Sequence, residues 1–395
     1  MDPEPGQPRG YLSDVHDMTW ELLGPGAHLN KLSTDAVREL LRELGNHSTS
    51  RVGTEVPKAQ AVDLLIWIRR FVTFGTAEFL FGPENPLKRK PELEEAFWDF
   101  DHGLGGLLVG IAPSWTASKA YKGREECVAA FKTYYADGHH NHASKIIHDR
   151  YLIEKNWGVS DDTISRSALS FLFAGIVNTT TTTYWVVMRL FADPELLATV
   201  RAEVQSSMDK SRELYGEDHM SINQIKDGCP TLLAVYRECL RMGSENFSVR
   251  LVKEDTILND QYYLKKGGVV QIAGGPIHAN RHIWGDDVAE FNPQRFLGKR
   301  SDGAGTHPAA FRGFGGGKTI CPGRHFATNE IICFAAVITR YFDVTALDGG
   351  GIKVPEKNDT VMPVHILEPK SQDCSRVKIT VRPEEQELSR LQIVT

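Results

Sequence analysis

The 395-residue chain has no surplus of positive charge. Its 45 Lys and Arg stand against 51 Asp and Glu, for a net charge of −6. Nothing in that balance points to a nucleic-acid partner. Cysteine is scarce: Cys127, Cys229, Cys239, Cys321, Cys333 and Cys374 are scattered, with no C-x-x-C pair. That spacing argues against a disulfide framework or a zinc finger and for a reducing, intracellular compartment. Repeats and low-complexity tracts are absent apart from five consecutive threonines, Thr179–Thr183. The polar, Pro/Gly-rich start, Met1 to Gly10, has the pattern of neither a signal peptide nor a membrane anchor, so the chain as given is expected to be soluble. Ala168 to Met188 carries no charge over about the span of a bilayer core. Asn178 and the threonines make it a poor membrane span and predict a long helix buried through a protein.

What is present is enough apolar residue, 41% of the chain, to bury a large core. Apolar spacing predicts helices over Ala36–Leu44, Ala61–Glu78, Pro91–Leu108 and Ala117–Tyr135. Phe79–Leu87, with its Gly and Pro residues, reads as a loop. His139, His140 and His142 read as a solvated turn, since no Cys or acid stands at metal-ligand spacing. Asp161-Asp162-Thr163 is the expected cap of a long central helix over about 162–192. Asp193-Pro194 ends it and starts a helix over Glu195–Met208, and another covers Pro230–Met242. From Ser248 the pattern alternates, predicting short strands at Val249–Val252, Tyr262–Leu264 and Val269–Ile272. Later strands are expected at Phe342–Ala346, Val361–Leu367 and Val377–Val381. The fold class is therefore mainly α with a small β-sheet region (α+β). Strands clustered late do not alternate with helices, which argues against a doubly wound sheet. We expect a single domain over 1–395, with a helical part (1–247) and a strand-rich part (248–395).

The most informative stretch is 311–327, Phe-Arg-Gly-Phe-Gly-Gly-Gly-Lys-Thr-Ile-Cys-Pro-Gly-Arg-His-Phe-Ala. A glycine-rich loop leads into an apolar helix, with Cys321 at the junction. Pro322 is well placed as the first helical residue. Cys321 would then face the free N–H groups and positive end of a helix, which favours a thiolate. Gly315, Gly316 and Gly317 allow positive φ and close approach to something flat. A thiolate in such a loop suits a metal approached from one face, and haem iron takes such a ligand. Two plainer readings compete: a packed cysteine beside a flexible loop, or a phosphate cradle. Lys318-Thr319 follows the wrong glycine spacing for a P-loop, and no apolar strand leads in. Elsewhere, Glu238 and Arg241 share a helical face in an apolar context. A buried pair needs further hydrogen bonds, and Arg295 is the candidate third partner.

Phe314, Gly317, Cys321 and Gly323 fit F-x-x-G-x-x-x-C-x-G, which resembles the haem-binding signature of the cytochrome P-450 family. The order Glu238-x-x-Arg241, then Phe291-x-Pro-x-Arg295-Phe, then the cysteine loop resembles the same family's scaffold triad. The resemblance covers roughly residues 60–385. It implies a cytochrome P-450-like fold, here expected to lack part of the usual N-terminal region, and haem b with Cys321 as the metal ligand. Phe314, Gly317, Lys318 and Gly323 would help to hold the cofactor, and Arg250 would bind a propionate. Thr319 stands where many relatives carry a basic residue two positions before the cysteine, so adjacent Lys318 is a substitute. On the long helix, Ala174, Gly175, Asn178 and Thr179 are the catalytic candidates implied. Gly175 would open a groove for dioxygen. Val177 replaces the usual acid and Asn178 the first threonine, so the usual proton relay is altered. Asparagine there, Thr319 and Ile-Cys-Pro-Gly-Arg look most like the branch with sterol 7α-hydroxylases and prostacyclin synthase, and a fungal biosynthetic member fits.

The resemblance implies a haem-thiolate monooxygenase. It would oxidise an apolar small molecule (terpenoid, steroid-like or polyketide) with dioxygen and electrons from an NADPH-dependent reductase. Where an anchor precedes the sequence, the cytosolic face of the endoplasmic reticulum is implied. Val177 and Asn178 keep open an isomerase or dehydratase that needs no dioxygen. The short stretch before the matching region keeps open a truncated, inactive haem-binding homologue.

Overall fold

The long helix is the axis of the molecule. In the computed structural model it runs from Asp161 to Ala192, and Thr179 to Met188 are all buried. The structure describes residues 9–49, 60–298, 307–362, 365–371, 375–382, 388 and 390–395, with the side chains of 46–49 left aside. Ser160, rather than the aspartates after it, caps the long helix, its Oγ accepting from Thr163 N at 3.3 Å. Asp161 and Asp162 occupy the first turn, where acids offset the helix dipole. Pro194 cannot continue the helix, and Asp193 Oδ1 accepts from Glu195 N and Leu196 N to start the next. That next helix runs to Tyr215, past the expected Met208.

Around this axis pack the helices Leu64–Phe81, Ser118–Ala136, Pro230–Gly243 and Arg324–Tyr341. One apolar core extends from Met18 to Ile393. Gly123 allows the Ser118–Ala136 helix to lie against Leu93–His102, because a Cβ there would fall 2.2 Å from Ala96 O. The 139–142 turn is a 3-10 helix. It is not wholly solvated, since His140 is buried against Tyr135 and Tyr151.

The strands form small sheets. β1 (Gln60–Asp63), β8 (Arg376–Val381) and β7 (Phe342–Ala346) make an antiparallel sheet in the order β1-β8-β7. β2 (His219–Ser221) pairs in parallel with β9 (Gln392–Val394). β3 (Phe247–Leu251) pairs with β6 (Val269–Ala273), and β4 (Thr256–Leu258) with β5 (Tyr262–Leu264).

Two further expectations are corrected. Ala61–Asp63 is strand rather than helix: β1 borrows its hydrogen bonds from β8, and Asp63 Oδ1 then caps the helix by accepting from Ile66 N at 3.0 Å. Within Val361–Leu367 the described residues form no strand. Ile366 N donates to Asn178 Oδ1, Leu367 N to Gly243 O, and Leu367 O accepts from Trp185 Nε1, so helices satisfy this backbone. No helix among the described residues is long and apolar enough to cross a membrane.

Candidate active site

The cysteine loop folds back on itself. Cys321 N donates to Phe314 O at 2.9 Å, and Gly315 N to Arg312 O at 2.9 Å. Gly315 (φ 76°) and Gly317 (φ 68°) take the left-handed backbone that this tight return needs. Pro322 and Gly323 form a turn, and the helix begins at Arg324 rather than at Pro322. The expected thiolate-favouring environment is corrected accordingly. Burial pushes the Cys321 thiol up, against the lowering pull of the Gly323 N–H and Arg324. A coordinated metal would remove that proton outright. Gly323 lies beside the sulfur, where a Cβ would stand 3.7 Å from Sγ, an ordinary van der Waals contact.

A cavity of about 580 Å³ separates this loop from the long helix. That volume lies within the usual range for ligand sites, roughly 300–1,000 Å³. Cys321 and Gly323 line it from the loop side, and Ala174, Gly175, Asn178 and Thr179 from the long helix. Gly175 has a second role: a Cβ there would meet Thr76 Cγ2 at 3.1 Å, so its missing side chain faces a neighbouring helix. Asn178 Oδ1 is engaged by Ile366 N at 3.0 Å. That engagement leaves its amide hydrogens as the more available face. Val177 is fully buried and is not part of the lining.

At the rim, Arg250 Nη2 donates to Thr319 Oγ1 at 2.5 Å, and both residues line the cavity with Phe314. Lys318 and Gly317 are exposed and lie outside the lining, so the structure places Thr319, not Lys318, beside Arg250. Arg312 is buried beneath the loop, its Nη2 on Ser248 Oγ at 3.0 Å.

Below the loop sits a buried charge network. Glu238 accepts from Arg241 Nε and Nη2, each at 2.7 Å, from Arg295 Nε at 3.3 Å and from Asn292 N at 3.1 Å. Arg241 also donates to His278 O, and Arg295 Nη1 to Asp287 Oδ1. His278 in turn accepts at Nε2 from Arg312 N at 2.8 Å, which ties the network to the cysteine loop. Burial lowers the His278 pKa to about 4, so the ring stays neutral and keeps that acceptor.

Residues outside the sequence motifs also bear on the cavity. His365 lines it and lies 3.3 Å from the buried Asp101 carboxylate. Glu330, on the helix after Cys321, accepts from Thr179 Oγ1 at 3.4 Å. The signal for Glu330 was a single acid in an apolar helical run, Asn-Glu-Ile-Ile-Cys-Phe.

These residues fit a flat apolar macrocycle with acidic edge groups and a metal centre. Cys321 offers one soft sulfur donor, Phe314, Phe326 and Leu240 give apolar walls, and Arg250 with Thr319 puts donors at the rim.

Comparison with known proteins agrees with that geometry. The chain is 30% identical over 345 residues to "Cytochrome P450 monooxygenase nodJ" of Hypoxylon pulicicidum, covering 85% of this chain and 65% of that one. It is 28% identical over 252 residues to "Cytochrome P450 7A1" of Sus scrofa, covering 60% and 50%. It is also 29% identical over 198 residues to "Bifunctional cytochrome P450/NADPH--P450 reductase ALT2" of Alternaria alternata, covering 50% and 17%. The chain thus spans less than two thirds of the length of these curated relatives. The profile described as Cytochrome P450 matches residues 26–371, a span that takes in the long helix, the charge network and the cysteine loop. A match of that extent places the chain in the cytochrome P450 family, whose cofactor is a haem held by a cysteine thiolate.

Proposed function

We propose that the chain is a haem-thiolate monooxygenase that oxidises an apolar small molecule, of terpenoid, steroid-like or polyketide type. The observation that carries this reading is the cavity that sets Cys321 across from Ala174, Asn178 and Thr179. Haem b, when bound, supplies the redox and dioxygen chemistry. Cys321 would be its ligand, Phe314 and Gly323 would flank it, and Arg250 with Thr319 would donate to its carboxylates. Gly317 and Lys318 act on the loop's turn and outer face instead. Apolar walls select an apolar substrate and exclude water, which strengthens each polar contact inside. Asn178 presents N–H donors toward the cavity, while Thr179 can both donate and accept. Electrons would come from an NADPH-dependent reductase, and the Alternaria alternata relative is by name a P450 and such a reductase in one chain.

A second reading has one observation behind it. Val177 offers no proton and Asn178 is held by Ile366, which suits an isomerase or dehydratase of a pre-oxidised substrate. The two separate by requirement. With a purified reductase and a panel of terpenoid, steroid and polyketide substrates, the monooxygenase reading expects product only with NADPH and air. Product formed under argon without reductant would favour the isomerase.

A further inference from the structure

Two basic side chains line the cavity, and no Asp, Glu or Lys of the described residues joins them. Arg250 is taken up at the rim by Thr319. The other is His365, whose side chain is 11% exposed. Its Nδ1 is 2.8 Å from Ile366 O, which can only accept, so Nδ1 carries a proton. Its Nε2 is 3.3 Å from Oδ1 of Asp101, on the helix Leu93–His102. Asp101 is buried, and neither of its oxygens makes a hydrogen bond. A bare buried carboxylate is costly, so its charge favours a second proton on the ring. Burial pulls the His365 pKa down, but Asp101, Ile366 O and Glu368 outweigh that pull and leave it raised. Glu368 is in turn paired with Arg69 of the helix Leu64–Phe81 and faces His102. The long helix presents Phe173, 6.5 Å from the ring, and Asn178, which accepts from Ile366 N. A charged imidazole is thus set into the long-helix side of an apolar cavity.

We propose that His365 selects the substrate of this site by donating from Nε2 to a carbonyl oxygen (ketone, lactone or amide) of an otherwise apolar molecule, with Asp101 as its positioning residue. The proposal deepens the monooxygenase reading of the same cavity and rests on it. The 3.3 Å approach to Asp101 is longer than the roughly 2.7–2.9 Å usual between charged hydrogen-bond partners. The Nε2 proton is therefore not committed to Asp101 and can turn to a ligand. Asp101 supplies the charge, Ile366 O fixes the ring, and Nε2 remains as the donor. The pair is neutral as a whole, so a neutral acceptor gains a charge-assisted bond. A substrate carboxylate would instead meet the Asp101 charge, and a hydrocarbon would leave a buried donor unsatisfied. Asp101 reaches the substrate only through His365.

The experiment is equilibrium dialysis of the haem-loaded 395-residue chain at about pH 6, below the ordinary histidine pKa. The probes are cyclododecane, cyclododecanone and cyclododecanecarboxylate, with adamantane and adamantanone as a second pair. The ketone-to-hydrocarbon affinity ratio of wild type should exceed that of His365→Phe by about tenfold or more, as for a hydrogen bond to a charged group. His365→Gln, which keeps a neutral donor, should fall between them. Equal ratios, or a wild type that takes up neither ketone, would overturn the proposal. Tighter binding of the carboxylate than of its ketone would overturn the substrate class. If His365→Phe does not fold, His365→Phe with Asp101→Asn removes the bare carboxylate as well and takes its place. Nitrogen-15 NMR of the histidine rings needs neither turnover nor haem. His365 should titrate at a higher pH in wild type than in Asp101→Asn, and equal midpoints would defeat the role given to Asp101. A chain that shows no carbon-monoxide band of thiolate-bound haem counts instead against the monooxygenase reading.

Discussion

Glu238 shows what single residues contribute here. It sits fully buried between two guanidinium groups, and four donors satisfy its oxygens. Glu238→Ala would leave Arg241 buried and uncompensated, which costs about 3–5 kcal/mol. The unfolding free energy from denaturant titration should fall by that much, and a loss under about 1 kcal/mol would show that the network is not a clamp. Glu330 gives a pH signature. Its folded-state pKa of about 8 lies above the ordinary 4.5. The stability it provides is therefore complete below pH 4.5 and is lost as pH rises towards 8, at no more than about 1.4 kcal/mol per unit. Subtracting wild type from Glu330→Gln cancels the other titrations. The variant should gain on wild type from pH 4.5 to 8, and a flat difference would mean an ordinary carboxylate. Cys321 stood out as a candidate because its glycine spacing is specific. Glu330 and Arg312 were not, since their partners Thr179 and Ser248 are remote in the chain.

Helices were the most legible elements, because their hydrogen bonds and apolar stripes are local. The long helix was foreseen to within a residue or so, and only its cap moved, to Ser160. β1 was misread because its partner β8 lies more than 300 residues away. β2 and β9, three residues each, carry too little alternation to stand out. Helix packing yields its own prediction. Gly123→Ala would drive a methyl into the Ala96 carbonyl and push two helices apart, costing about 1–3 kcal/mol. Thermal melting of the variant should show the loss, and an unchanged melting temperature would mean that these helices slide freely. Ser160→Ala, by contrast, removes one cap and should cost only about 1 kcal/mol.

At the scale of the whole molecule, the long helix, the charge network and the cysteine loop act as one frame. Asn178 ties the helix to Ile366, and His278 ties the network to the loop through Arg312. Such a frame sets Cys321 across an apolar cavity from the helix. Mainly α architecture was readable from periodicity. The cavity was not, because it is made by segments from both ends of the chain. The most direct test is the carbon-monoxide difference spectrum of the reduced, haem-loaded 395-residue chain beside that of Cys321→Ala. Wild type should show the red-shifted band of thiolate-bound haem iron, and Cys321→Ala should lose it. A wild type that binds haem without that band, or a variant that keeps it, would contradict the assignment of Cys321.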